Sequence, residues 1–129
     1  MNLGVLDFTN AGVLPTTRMP WSDQEIAWVS PDMIGLPLGT ELVGYVADGN
    51  CMQQAGINHC DIVIVQPMAT ADSGQAVIAR LDGVQMLKHY VVEDGTPLLR
   101  AADPKLADFI PKESLIVEGI VVGIMRKIH

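Results

Sequence analysis

Basic residues are scarce. Eight Lys and Arg stand against 15 Asp and Glu in 129 residues, for a net charge of −7. A domain that neutralises nucleic-acid phosphates needs clustered Lys and Arg. The eight here are dispersed, which excludes nucleic-acid binding by this chain alone. The acidity favours solubility instead. No apolar run approaches the ~20 residues that cross a bilayer. The N-terminus has neither a basic region nor a long apolar segment, so it does not read as a secretory signal. No membrane partner and a cytoplasmic location are therefore expected. Cysteine is almost absent: Cys51 and Cys60 are the two, and in the cytoplasm they are not expected to pair. His59 precedes Cys60, but no second Cys/His pair lies at zinc-site spacing, so neither metal nor cofactor is expected. His89 and His129 read as ordinary polar residues. Internal repeats and low-complexity segments are missing too.

What is present is apolar. Hydrophobic residues make up 49% of the chain, enough for one domain with a real core. The pattern reads as mostly β, in short strands and hairpins. Leu3–Phe8 is a short apolar run of open type. Thr9 to Pro15 holds Gly12 and Pro15, which disfavour regular structure, so an irregular arm is expected there. The arm and linker are assigned to 1–24 and the folded domain to 25–129. Glu25–Ser30 alternates weakly, as a strand would. Ser30–Thr40 is a loop, with room for a helical turn near Met33. Glu41–Val46 and Ile62–Val65 are rich in β-branched residues and short, so both read as strands. Gln75–Leu81 reads as a buried strand, Asp82-Gly83 as a hairpin turn, and Val84–Val92 as the returning partner. Glu93-Asp94-Gly95-Thr96 forms a second turn before the short strand Pro97–Arg100. Ile116–Met125 is the last strand, with Gly119 and Gly123 as bend points. It is long and mostly apolar, so both of its faces are expected to be covered.

Between the strands at 41–46 and 62–65 lies a segment with Gly49, Asn50, Gly56 and Asn58, all turn residues. It carries Cys51. A free Cys is most often a small buried hydrophobe. A Cys on an irregular link between buried strands is also well placed to be a nucleophile. Those residues alone favour the first reading.

The stretch Gly49-Asn50-Cys51-Met52, followed by Gly56-Ile57-Asn58-His59-Cys60-Asp61 and the strand Ile62–Val65, resembles the Ser-Met box of the LexA-like repressors, their phage relatives and UmuD. In that family a Gly-Asp-Ser-Met box precedes an Ile-x-Asp-Gly-Asp-type turn and an apolar strand. The family's nucleophilic Ser aligns with Cys51. Its catalytic Lys follows an Ala-Arg-x-Asp-Gly-like hairpin, here Ala79-Arg80-Leu81-Asp82-Gly83, which places it at Lys88. The spacing from Cys51 to Lys88 is similar to that from Ser to Lys in the family. Ala102-Asp103-Pro104 resembles its Leu-Asn-Pro segment. The resemblance runs from about Glu41 to the C-terminus and implies the β-clip-type fold of a LexA-like C-terminal domain. It also implies a self-cleavage site upstream of the nucleophile, and Ala11-Gly12 is the one Ala-Gly pair there.

A Lys serves as a base only when neutral, which apolar burial favours. Met86, Leu87, Tyr90 and Val91 flank Lys88 and fit that role, although a solvent-facing Lys88 fits strand alternation as well. Beside a thiol, such a Lys favours a thiolate–ammonium pair. Asn50 replaces the family's Asp, and His59-Cys60 replaces its Asp-Gly. These departures lead to an expectation of weak or lost self-cleavage and a surviving role as a repressor's oligomerisation domain. A self-cleaving Cys/Lys peptidase and a UmuD-like polymerase accessory factor in the SOS response are the alternatives. The partners the resemblance implies are a second copy of the chain, a RecA filament or an antirepressor protein. DNA would be reached only through a helix-turn-helix domain that this sequence lacks.

Overall fold

Two Asp-Gly pairs set the hairpins. Asp82 and Gly83 have φ of +49° and +84°, and Asp94 and Gly95 have +51° and +77°. Positive φ at both central residues is the signature of the type I′ turn, whose twist matches that of paired strands. The computed structural model describes residues 31–126 in full, with the backbone of three short strands before them. The strands are β1 (Leu3–Val5), β2 (Val13–Arg18), β3 (Glu25–Trp28), β4 (Val43–Ala47), β5 (Ile62–Pro67), β6 (Ala76–Leu81), β7 (Val84–Glu93), β8 (Thr96–Arg100) and β9 (Leu115–Met125). Seven form one sheet in the order β1-β4-β5-β9-β6-β7-β8, with every pairing antiparallel, and β2 pairs with β3 separately. The fold is thus mostly β, as the strand pattern reads. Single 3-10 turns at Pro31–Ile34 and Gln53–Ala55 are the helical pieces among the described residues.

Alternation along β5 explains how one sheet feeds two cores. Ile62 and Ile64 pack with Leu42 on one face. Val63 and Val65 face the other way, into a cluster with Tyr45, Ala47, Met52, Ile57, Ile78 and Leu87. That second cluster joins β4 and β5 to β6 and β7, which are not their neighbours in the strand order, so the sheet curls around it. A third cluster, Val77, Ala79, Leu81, Leu99 and Val117, covers the other side of β6.

Two expectations need correction. The irregular arm expected through Pro15 gives way at Val13, where β2 begins. Pro15 is tolerated because β2 is one of only two strands, and its register slips between Val13 and Thr17. The last strand is not covered on both faces. Ile116 is 57% exposed and Ile124 39%, and only Val117 and Gly119 are buried. The bend points on this strand do coincide with irregularities. Register shifts fall between Ile64 and Val65 opposite Gly123 and Val121, and between Ile78 and Ala79 opposite Gly119 and Val117. A Cβ at Gly119 would overlap a Val65 methyl and lie 2.9 Å from the Gln66 carbonyl oxygen, so only glycine fits.

The Asp82 turn also anchors a distant loop. Its carboxylate accepts the backbone N–H groups of Lys112, Glu113 and Ser114 at 3.0, 2.7 and 3.0 Å. These amides hold the carboxyl below its ordinary value of 3.8, the Lys112 bond contributing most. A depressed folded-state pKa adds stability above the unfolded value, and that contribution is lost as pH falls through the lower folded value. Amide protection at 112–114, relative to an unfolded chain at the same pH, should therefore persist at neutral pH and be lost only below pH ~3.8. In Asp82→Asn it should be lost at neutral pH too. Equal protection in the two proteins would show that the carboxylate is not the anchor.

Candidate active site

The link after β4 is held by its own backbone. The Gln53 N–H donates to the Asn50 carbonyl, the Ala55 and Ile57 N–H groups to the Met52 carbonyl, and the Gly56 N–H to the Gln53 carbonyl. Gly56 closes this turn at φ +89°, a conformation that suits glycine. Met52 is fully buried in the central cluster and fixes the neighbouring Cys51. The Cys51 carbonyl accepts the N–H groups of Ala102 and Asp103 at 3.1 and 3.3 Å, which ties the link to the segment after β8.

Asp61 closes the link from below. It is 2% exposed and accepts Arg126 Nε at 2.7 Å and Nη2 at 2.6 Å, a bidentate pair, plus the Asn58 N–H at 2.7 Å. Arg126 Nη2 also donates to the Gly56 carbonyl at 2.8 Å. The end of β9 is thereby clamped to the turn that follows Cys51. Sequence reading placed Asp61 in the motif but gave Arg126 no role. The two are 65 residues apart, and no local signal joins them.

Cys60 sits at φ +70°. A left-handed backbone is costly for a side chain with a Cβ, and this is the position where the resemblance expects glycine. A glycine would adopt this conformation without that cost. His59 is structural: its Nδ1 accepts the Gly49 N–H at 2.9 Å. Asp48 is 3.5 Å from the same nitrogen, but an accepting Nδ1 has no proton to offer it, so the amide bond describes neutral His59 better than the ion pair does.

Lys88 lies on β7 in register with Val77 of β6. It is 2% exposed, and Leu87 beside it is fully buried, so β7 is covered on both faces here. This settles what alternation left open: Lys88 is not a solvent-facing hairpin residue. Its ammonium Nζ donates to Cys51 Sγ at 3.1 Å and lies 5.3 Å from the centre of the Phe109 ring. Cys51 and Lys88, 37 residues apart, are thus in contact.

The pair opens into a cleft of about 370 Å³ lined by Asp48, Gly49, Asn50 and the segment Leu106–Phe109. That segment forms one wall of the cleft. Phe109 and Leu99 exchange backbone hydrogen bonds of 2.8 and 3.0 Å. Arg100 Nε and Nη2 each donate to Asp108 at 2.8 Å, and Nη2 donates to Glu93 at 2.6 Å. The Arg100 guanidinium holds the Asp108 carboxyl below its usual range. Ala11 and Gly12 lie outside the described residues. Among the described residues no three His, Cys, Asp or Glu side chains are grouped to hold a metal ion, and no helix is long and apolar enough to cross a membrane.

A family model described as Peptidase S24-like matches residues 11–122. The chain is similar to the LexA repressor of Verrucomicrobium spinosum, with 37% identity over 78 residues, 60% of this chain and 38% of that protein. It is 33% identical over 104 residues to the LexA repressor of Syntrophotalea carbinolica, covering 79% of this chain and 50% of that one. The LexA repressor of a Parafrankia species is 33% identical over 98 residues, covering 71% and 39%. The matches span half or less of these curated relatives.

Proposed function

The chain belongs to the Peptidase S24-like family, and from that premise we propose that it is the C-terminal regulatory domain of a LexA-type repressor with a Cys/Lys peptide-cleaving site. The contact of 3.1 Å between Cys51 Sγ and the buried Lys88 Nζ carries this reading. In the proposed chemistry the Cys51 thiolate attacks the carbonyl carbon of a peptide bond, and the carbonyl π pair moves to oxygen. Collapse of the adduct expels the amine, which takes a proton from the Lys88 ammonium and leaves a thioester on Cys51. The neutral Lys88 then deprotonates water, which cleaves the thioester and restores both groups. The cleft beside Gly49 and Leu106–Phe109 would receive the peptide in extended form.

The substrate proposed is the chain's own Ala11-Gly12 bond. Incubation of the whole chain at alkaline pH, followed by mass spectrometry, should show a fragment beginning at Gly12. An intact chain after prolonged incubation, with Cys51 reduced, would leave a domain that acts by association only. Ile116 and Ile124 expose apolar surface on β9, which supports self-association as part of the same reading. Sedimentation at micromolar concentration should show a dimer or larger species. A monomer at high concentration counts against self-pairing.

A further inference from the structure

We propose that the Cys51–Lys88 pair is a site of reversible covalent modification by hydroperoxides, ending in a sulfur–nitrogen bond between the two side chains. The inference goes beyond peptide cleavage and does not depend on it.

Three observations bring the chemistry together. Cys51 is half-buried and lines a cleft wide enough for a peroxide. Its sulfur is in direct contact with the Lys88 nitrogen, and a thiolate is the form that peroxides oxidise. Lys88 is nearly sealed from water, with its nitrogen held at 3.1 Å from that sulfur and capped by the Phe109 ring. A serine at position 51 could not undergo this reaction, so the cysteine gives the site a chemistry that a Ser/Lys pair lacks.

The steps balance. The thiolate sulfur attacks one peroxide oxygen and the O–O bond breaks. The leaving hydroxide takes a proton from the Lys88 ammonium and becomes water, so Cys51 is a sulfenic acid and Lys88 a neutral amine. The Lys88 nitrogen lone pair then attacks the sulfenic sulfur. An N–S bond forms and the S–O bond breaks, and the hydroxyl leaves with one amine proton as a second water. Sulfenic acids condense with backbone nitrogen in this way, and an amine is the better nucleophile. Two equivalents of a thiol reverse the link, regenerating Cys51 and Lys88 and yielding a disulfide of the reductant. While the link stands, neither nucleophile nor base is available.

The test uses the whole chain with Cys60→Ser, because a Cys51–Cys60 disulfide would have the same mass. Treatment with a small excess of hydrogen peroxide should lower the intact mass by roughly 2 Da. Peptide mapping should show Cys51 joined to Lys88, with trypsin blocked after Lys88. Dithiothreitol should restore the original mass. Lys88→Met in the same background should instead gain roughly 16 or 32 Da at Cys51. The proposal fails if the Lys88 chain gains oxygen with trypsin still cutting after Lys88, if it stays unmodified, or if the mass loss survives in Lys88→Met. None of these readouts needs cleavage at Gly12. A chain that links but never cleaves sinks the peptidase reading alone, and one that cleaves but never links sinks this one alone.

Discussion

Lys88→Met should slow the appearance of the Gly12 fragment by about 100- to 10,000-fold, the usual contribution of a positioned acid–base group. Methionine has nearly the length of lysine and no charge, and it adapts to irregular apolar gaps. The position is 2% exposed and its nitrogen lies over the Phe109 ring, so the substitution should leave stability unchanged or raise it. Replacing a buried charge by a well-packed apolar group is often neutral or favourable. Loss of activity with an unchanged melting temperature separates a chemical role from a structural one. Alkylation of Cys51 by iodoacetamide at neutral pH offers a second readout. It should fall once the nitrogen 3.1 Å from the sulfur is gone. A variant that cleaves and alkylates like the parent would remove Lys88 from the mechanism.

The largest effect on stability is expected at the residue beside the nucleophile. Met52 is fully buried between β4, β5 and β7, in contact with a cluster that includes Tyr45, Val63 and Leu87. Met52→Ala should destabilise the domain by about 2–5 kcal/mol, through lost transfer energy and the cavity left behind. A domain of this size is stable by only about 5–15 kcal/mol, so the variant sits near its folding threshold. Met52→Leu keeps most of the volume and should cost less than about 1.5 kcal/mol. Urea midpoints for the two variants give the comparison. Similar midpoints would mean that the central cluster closes around the missing side chain. Because the buried Met52 side chain anchors the turn that carries Cys51, Met52→Ala should slow cleavage as well, by letting Cys51 drift from Lys88.

The amino-acid sequence by itself determined the local features. Asp82-Gly83 and Asp94-Gly95 specify their turns because few other residues accept two successive positive φ values. The β-branched run Ile62–Val65 specifies a buried strand. Gly119 and Gly123 mark the irregularities of β9, and at Gly119 one backbone closes on another. The Cys51 link and its distance along the chain to Lys88 were legible only as a pattern shared with a known family. What the tertiary structure decided is what depends on the curl of the sheet. Lys88 could face solvent or Cys51 as far as alternation goes, since both faces of β7 are apolar. The choice follows from the link after β4 arriving over β7, where Cys51 Sγ meets Lys88 Nζ although β4 and β7 are not paired. The same holds for Asp61 with Arg126, for the wall that Arg100 builds through Asp108, and for the exposure of Ile116 and Ile124. Each of these depends on which distant strand arrives opposite. Period and propensity act over a few residues, whereas the curvature that brings Lys88 to Cys51 is a sum over seven strands.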